Sequence, residues 1–341
     1  MKTVVRRGFA PSTPSDVAVG AGAAIPFRWT RRDVLETDDW SPAEIEAVLE
    51  TTGAMIGILQ RPVRRAPPLR GKTVILFFAE ASTRTRVSFE LAAKTLSADV
   101  VNITASGSSV EKGETLYDTV RTLEALGGDV VVMRHASSGA PYFVAERTGA
   151  AVINAGDGWH AHPTQGLLDA YTLRAALGDL AGKRVVIVGD VLHSRVARSD
   201  INTLVPLGAE ITLSGPPTLM PFAWRRGELP RGVTYEPDLD RALDGADAAI
   251  ALRLQKERQE SGLLPSVREY ARVWGLTEGR VRRMKPSAPV MHPGPMNEGV
   301  EIDAAVAHGA RSLVEKQVTN GVAVRMALLY LLVGTPSLEV A

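Results

Sequence analysis

This chain of 341 residues contains no cysteine, which excludes disulfide bonds, thiol nucleophiles and cysteine-ligated metal sites. Because that absence fits a reducing compartment, we expect a cytoplasmic protein. The formal net charge is only +1, from 39 basic and 38 acidic residues, so no overall positive field would attract nucleic acid or an anionic membrane. The longest nearly apolar run, Val322 to Val333, contains Arg325 and is too short to span a bilayer. It predicts a buried terminal helix.

The first thirty residues differ in composition from the rest of the chain. Basic residues come first, and prolines and a tract of alanine and glycine follow them. A secretory signal also begins with basic residues, but Asp16 and the prolines interrupt the apolar segment that export requires. We therefore expect residues 1–30 to form a flexible extension.

Short apolar runs alternate with helical patterns along most of the remaining chain. This alternation predicts an α/β protein with doubly wound parallel sheets, and the length allows two such domains. A helical pattern from His162 to Gly178 is expected to connect the two domains. The runs predicted as strands are Thr73–Phe78, Val100–Ile103, Val130–Met133, Val152–Asn154, Arg184–Val188, Ile211–Ser214 and Ala248–Leu252.

A run of hydroxyl and guanidinium side chains, Ser82-Thr83-Arg84-Thr85-Arg86, stands between the first predicted strand and a helical pattern. We expect these hydroxyl groups at a helix N-terminus, where free backbone N–H groups and the helix dipole favour an anion. Arg84 would add a charged fork. A capped helix with two solvated arginines is the alternative, but five such residues in succession favour a phosphate site.

This run resembles the carbamoyl-phosphate signature of the aspartate and ornithine carbamoyltransferase family. The resemblance extends from about Phe27 to about Leu332, which is nearly the whole chain. Arg86 is left out of the site, because its position two residues along the helix turns it away, and we expect it to pair with a carboxylate. The residues that the resemblance implies bind the phosphate are Ser82, Thr83, Arg84 and Thr85.

The resemblance also implies how the chain is divided. A carbamoyl-phosphate-binding domain would cover residues 31–163, and an aspartate-binding domain would cover residues 164–317. A final helix, at about 318–341, would return to pack on the first domain. The substrates would then meet in the cleft between domains, at the carboxyl ends of the strands.

A polar segment flanked by glycines, residues 107–114, by itself predicts a solvated loop. Its Ser108 and Lys112, followed by Gly-Glu-Thr-Leu, resemble the pair that in this family reaches into a neighbouring subunit's active site. The resemblance therefore implies a homotrimer with shared active sites. Further association with dihydroorotase or with regulatory chains stays open.

Two more segments of the first half carry candidate ligands of carbamoyl phosphate. Arg134 follows a predicted strand, and by itself it could equally be a surface arginine. His162 and Gln165 open the connecting helix, where their spacing puts them on one face, although a lone histidine there is more often a cap. By resemblance, Arg134 contacts the carbonyl and phosphate oxygens, while His162 and Gln165 hold the carbonyl oxygen and the amide nitrogen of the carbamoyl group.

The second half offers ligands for an anionic amino acid. Its segment from Gly189 lacks Gly-x-Gly-x-x-Gly, which disfavours a nicotinamide cofactor. Ornithine would require a carboxylate for its side-chain amine, whereas this sequence offers guanidinium groups. Ornithine enzymes also typically carry a cysteine directly after the histidine that corresponds to His292, and this chain has no cysteine. The residues that the resemblance assigns to aspartate are Lys112, Arg195, Arg253, Gln255, Pro293, Gly294 and Pro295.

The resemblance implies transfer of a carbamoyl group from carbamoyl phosphate to L-aspartate, in de novo pyrimidine biosynthesis. Negative charge that develops on the carbonyl oxygen would be stabilised by Thr85, Arg134 and His162, and the other catalytic residues would be Arg84 and Lys112. No metal or organic cofactor is expected, because no cluster of His, Asp and Glu has metal-ligand spacing. Two alternatives stay open: a carbamoyltransferase for ornithine or another amine, and a catalytically inactive scaffold paralogue.

Overall fold

The computed structural model describes residues 28–104, 115–254, 263–264 and 266–334. Within these residues the chain forms nine strands, β1 to β9, and twelve α-helices, α1 to α12. The strands are β1 Thr73–Phe78, β2 Asp99–Thr104, β3 Val130–His135, β4 Ala151–Asp157, β5 Arg184–Val188, β6 Glu210–Ser214, β7 Val233–Tyr235, β8 Ala248–Ala251 and β9 Val290–Met291. The helices are α1 Pro42–Leu59, α2 Thr83–Thr95, α3 Leu116–Ala125, α4 Ala140–Ala145, α5 Pro163–Leu177, α6 Arg195–Leu204, α7 Phe222–Arg225, α8 Leu239–Leu243, α9 Val267–Trp274, α10 Glu278–Val281, α11 Ala304–Ala307 and α12 Val314–Val333.

The strands form two parallel sheets, with the orders β2-β1-β3-β4 and β7-β6-β5-β8-β9. The predicted architecture of two parallel α/β sheets is therefore confirmed. In each sheet, the strands that follow the first one are added on one side of it and then on the other, so that β1 lies between β2 and β3, and β5 lies between β6 and β8. This reversal opens a crevice at the carboxyl ends of the central strands, which is where such sheets bind ligands.

All seven predicted strands are present, and their ends lie within three residues of the predicted ends. Strands β7 and β9, which are three and two residues long, were not predicted. Both were missed because so few residues carry no periodic signal of their own, and β9 also stands between Pro289 and Pro293.

Two long helices join the two halves of the molecule. The predicted connecting helix is α5, which is buried on nearly all sides and packs against α1, α6 and α12. The terminal helix α12 packs against α1 and α2, as predicted for a helix that returns to the first sheet, although it begins earlier than expected, at Val314. No helix among the described residues is both long enough and apolar enough to cross a membrane.

Candidate active site

One cavity of about 600 Å³ lies beside the carboxyl ends of strands from both sheets. Its walls come from the end of β3 and from the segments that follow β1, β5, β8 and β9, together with the start of α5 and residues of α12. Three predicted site residues, Ser108, Lys112 and Gln255, lie outside the described residues. The predicted residues that line this cavity are Ser82, Thr83, Arg84, Thr85, Arg134, His162, Gln165, Arg195, Arg253, Pro293, Gly294 and Pro295.

The hydroxyl-rich run forms the N-terminus of α2 at the wall of this cavity. Ser82 is the N-cap residue, but its side chain makes no capping hydrogen bond, and Thr83 to Thr85 form the first turn. The first N–H groups of a helix have no acceptor within that helix, so this turn presents several donors. The run therefore combines free donors, the positive end of the helix dipole and the Arg84 guanidinium, as an anion site requires.

Arg134 is fixed at the end of β3 by contacts with two neighbouring segments. It is paired with Phe78 in the parallel register, and its carbonyl accepts a hydrogen bond from the Ala79 N–H over 2.9 Å. Its side chain donates from Nη1 to the Ala155 carbonyl over 3.2 Å and from Nη2 to the Glu80 carboxylate over 2.7 Å. The guanidinium is therefore held in one orientation within the cavity.

His162 stands at the N-terminus of α5 and is buried. Its backbone N–H donates to Oγ of Ser199 over 2.8 Å, which ties the start of α5 to α6. Burial, together with the charges of Arg134, Arg195 and Arg325, holds the pKa of its imidazole well below the usual range. The ring is therefore neutral at physiological pH and can donate one hydrogen bond without adding another positive charge.

Residues of the second sheet complete the opposite wall. Arg195 begins α6 and follows Ser194, whose hydroxyl caps this helix by accepting from the Ala197 N–H. Gly294 follows β9 with a φ of +61°, and a side chain at this position would collide with the Arg84 guanidinium. Glycine here therefore lets the turn after β9 approach Arg84, at the start of α2.

Positive charge dominates the cavity. Guanidinium groups of five arginines line it, and Glu80 is the one carboxylate among its described lining residues. Burial lowers the pKa of the Arg84 guanidinium, and the charge of Arg253 lowers it further. The site therefore concentrates a positive charge that the whole-chain total of +1 conceals, and it suits two anionic ligands at once. The five arginines are Arg84, Arg134, Arg195, Arg253 and Arg325.

Two charged residues of the cavity wall, Glu80 and Arg325, were not predicted from the sequence. Glu80 immediately precedes the hydroxyl-rich run and ends up between Arg134 and Arg195. Arg325 of α12 donates to the hydroxyl groups of Ser88 and Thr164, and burial lowers its pKa to about 10. A signal for Arg325 was present, because a lone charge inside an apolar helical run must find a buried partner or a ligand.

Gln317, which lines the cavity, and the buried Asp169 were also not predicted from the sequence. Nε2 of Gln165 donates to both carboxylate oxygens of Asp169, over 3.2 and 3.1 Å. Nε2 of Gln317 also donates to Asp169, over 2.6 Å, while its Oε1 accepts from the backbone N–H of His292 over 3.0 Å. Asp169 therefore connects the start of α5 with the turn after β9.

The chain matches one protein family over both halves. Residues 32–175 match the family described as aspartate/ornithine carbamoyltransferase, carbamoyl-P binding domain. Residues 181–332 match its counterpart, aspartate/ornithine carbamoyltransferase, Asp/Orn binding domain. Together these matches cover most of the chain.

Individual relatives agree with these matches. The chain is 58% identical over 319 residues to the aspartate carbamoyltransferase catalytic subunit of Roseiflexus castenholzii, which covers 93% of this chain and 99% of the relative. It is also similar to the crystal structure of Trypanosoma cruzi aspartate transcarbamoylase with N-(phosphonacetyl)-L-aspartic acid, with a TM-score of 0.80 and 31% identity over 89% of this chain and 96% of the other. Pyrococcus furiosus ornithine carbamoyltransferase gives a TM-score of 0.79 at 28% identity, over 90% and 98% of the two chains.

Proposed function

This chain belongs to the aspartate/ornithine carbamoyltransferase family, and from that premise we propose that it transfers the carbamoyl group of carbamoyl phosphate to the amine of L-aspartate. The products are N-carbamoyl-L-aspartate and phosphate. The observation that carries this proposal is the meeting of arginines from both sheets in one cavity, beside a helix N-terminus that suits a phosphate. This arrangement fits one phosphorylated substrate and one dicarboxylate.

On the phosphate side, Ser82, Thr83, Arg84 and Thr85 bind the phosphate group of carbamoyl phosphate. Arg134 contacts both its phosphate and carbonyl oxygens, and His162 donates to the carbonyl oxygen. Gln165 binds the carbamoyl amide nitrogen. Its Nε2 already donates to Asp169, so the Oε1 atom remains to accept from the substrate's NH₂ group.

On the amino-acid side, Arg195 and Arg253 bind the carboxylates of aspartate, together with Gln255. The backbone of Pro293, Gly294 and Pro295 faces the attacking amine. Ornithine is disfavoured because Glu80, the carboxylate that lines the described part of the cavity, is already bonded to Arg134 and Arg195. A structural likeness to both enzyme types does not distinguish them, whereas the 58% identity to aspartate enzymes favours aspartate.

The reaction is a displacement at the carbonyl carbon. The neutral amine of aspartate forms a C–N bond, the carbonyl oxygen gains negative charge, and the C–O bond to phosphate then breaks. Thr85, Arg134 and the neutral His162 stabilise that oxygen, while the departing phosphate accepts the amine proton. No enzyme group forms a covalent bond, so catalysis rests on positioning two anions in one cationic cleft.

We assign the remaining features by the same family membership. Residues 31–163 form the carbamoyl-phosphate-binding domain, and residues 164–317 form the aspartate-binding domain. The protein is a cytoplasmic homotrimer in which Ser108 and Lys112 of each chain complete the active site of its neighbour. Lys112 then contacts both substrates.

A turnover assay tests the function directly. Purified protein with carbamoyl phosphate should form phosphate and carbamoyl-aspartate in equal amounts when aspartate is supplied. With ornithine in place of aspartate, the rate should be lower by about a hundredfold or more, because the site would leave an amine facing guanidinium groups. Faster carbamoylation of ornithine would overturn the substrate assignment, and no turnover of either amine would favour the inactive scaffold.

A further inference from the structure

Two carboxyl groups are buried side by side beneath the cavity, on the facing helices α5 and α6. Asp169 and Asp200 are both 0% exposed, and their side chains are within hydrogen-bonding distance of each other. The helices approach closely at Gly166, where an added Cβ atom would lie 2.5 Å from the Ser199 carbonyl oxygen. Neither carboxyl group is therefore able to reach water.

Asp169 is surrounded by donors, whereas Asp200 is not. Gln165 and Gln317 both donate to Asp169, which suits an ionised carboxylate. No donor among the described residues reaches either oxygen of Asp200. A buried carboxylate without donors, beside another carboxylate, is so unfavourable that the group keeps a proton instead.

We propose that Asp200 is a positioning residue. Its protonated carboxyl donates a hydrogen bond to Asp169, and Asp169 in turn holds the side-chain amides of Gln165 and Gln317 in place. This proposal rests on the proposed function, in which Gln165 binds the carbamoyl group. Asp169 fixes which end of Gln165 faces the cavity. Through Gln317 and the His292 N–H, it also supports the turn assigned to aspartate. One buried acid pair thus positions groups for both substrates.

The surroundings agree with one proton shared by this pair. Burial raises the pKa of the Asp200 carboxyl well above its usual range, and the negative charge of Asp169 raises it further. Burial also raises the pKa of the Asp169 carboxyl, to about 6, while the hydrogen bonds from Gln165 and Gln317 and the charge of Arg325 on α12 oppose that rise. Asp169 is therefore ionised at neutral pH. His162, at the start of the same helix α5, is neutral.

Two variants of matched shape separate hydrogen bonding from packing. Asp200→Asn keeps a donor toward Asp169, and Asp200→Leu has a similar branched shape without one. We expect kcat/KM of D200N to stay within about threefold of the native enzyme, and that of D200L to fall by about tenfold or more for both substrates, because misplaced ligands slow the reaction strongly. Equal rates in the two variants, whether high or low, would overturn the positioning role.

A second measurement does not involve the substrates. If Asp200 keeps its proton in the folded chain but loses it on unfolding, the folded state binds one more proton at pH values above about 6, where Asp169 is ionised. The free energy of unfolding of the native chain then falls as pH rises. The D200N variant has no ionisable group at this position, so its free energy of unfolding does not show this contribution. The unfolding equilibrium constant of the native chain, relative to D200N, should therefore rise about tenfold per pH unit in urea titrations at equal protein concentration. A ratio independent of pH would show that Asp200 is ionised and would overturn the proposal.

Infrared spectra cover the case in which a variant fails to fold. The native protein at pH 7 should show the C=O stretch of a protonated carboxylic acid, and this band should disappear on unfolding. Its absence from the folded protein would overturn the proposal. If the native enzyme carbamoylates no aspartate while the band and the pH-dependent stability are present, the proposed function fails but the protonated pair stands.

Discussion

Nη2 of Arg195 donates to Oε1 of Glu80 over 2.9 Å, which links the segment after β1 to the first turn of α6. The same Glu80 oxygen accepts from Arg134 over 2.7 Å. Arg195 is only 5% exposed, so little water screens this ion pair. A single carboxylate therefore fixes the two guanidinium groups that we assign to different substrates.

We expect Glu80→Gln to lower kcat/KM for aspartate by about tenfold or more. The amide keeps the shape of the side chain and can still accept a hydrogen bond, but the guanidinium groups of Arg134 and Arg195 lose the negative charge that they share. Steady-state kinetics would measure the effect. Glu90→Gln is the matched control, because Glu90 pairs with Lys94 on the exposed face of α2. A Glu80 variant as active as the Glu90 variant would contradict this role.

Arg253→Ala should weaken aspartate binding far more than carbamoyl phosphate binding. Truncating one partner of a desolvated charge pair costs roughly 2–5 kcal/mol, so KM for aspartate should rise by tenfold or more. Binding of each substrate can be followed by titration calorimetry and initial rates. Arg241→Ala, at a side chain that is 75% exposed on α8, serves as the control. Equal weakening of both substrates would show that Arg253 is no dedicated aspartate ligand.

The imidazole of His162 should stay neutral throughout the pH range in which an ordinary histidine takes up a proton. Its pKa is held well below 6.5 by burial and by the charges of Arg134, Arg195 and Arg325. The ring therefore stays unprotonated at pH values at which an ordinary histidine becomes protonated. NMR titration of the C2 protons tests this, with the signal assigned by its loss in His162→Gln. The other five histidines of the chain provide internal references. A midpoint near 6.5 for His162 would contradict the neutral-donor role.

Shared active sites predict complementation between two inactive variants. Arg134→Ala should lower turnover by about 10² or more because it removes an oxyanion donor, and Lys112→Ala should be similarly inactive. When both variants are unfolded and refolded together, mixed trimers will contain some sites with Arg134 from one chain and Lys112 from another. Activity should return only on mixing.

The complementation experiment needs a check on assembly. Native mass spectrometry should detect mixed trimers in the refolded sample. Mixed trimers that are no more active than either parent would mean that Lys112 serves its own chain or none. A protein that remains monomeric would overturn the trimer proposal itself.

Sequence by itself determined the two parallel sheets and the position of the hydroxyl-rich run at a helix N-terminus. Strands such as β1 and β5 are continuous buried runs, so their residue types are sufficient to identify them. The Ser82 to Thr85 run is equally local, because the strand before it and the helix after it are its immediate neighbours. Resemblance to a family then supplied roles for residues whose own patterns were ambiguous, such as Arg134 and His162.

Tertiary structure alone decided which distant groups form ion pairs or hydrogen bonds and which carboxyl groups share a proton. Glu80 and Arg195 are 115 residues apart, and Asp169 and Gln317 are 148 apart, so no local pattern links them. Nor does a sequence distinguish a solvated aspartate from Asp200, which is buried against another carboxyl group on a facing helix. The physical reason is that burial and donor supply set the protonation of such groups, and both arise only when the helices pack.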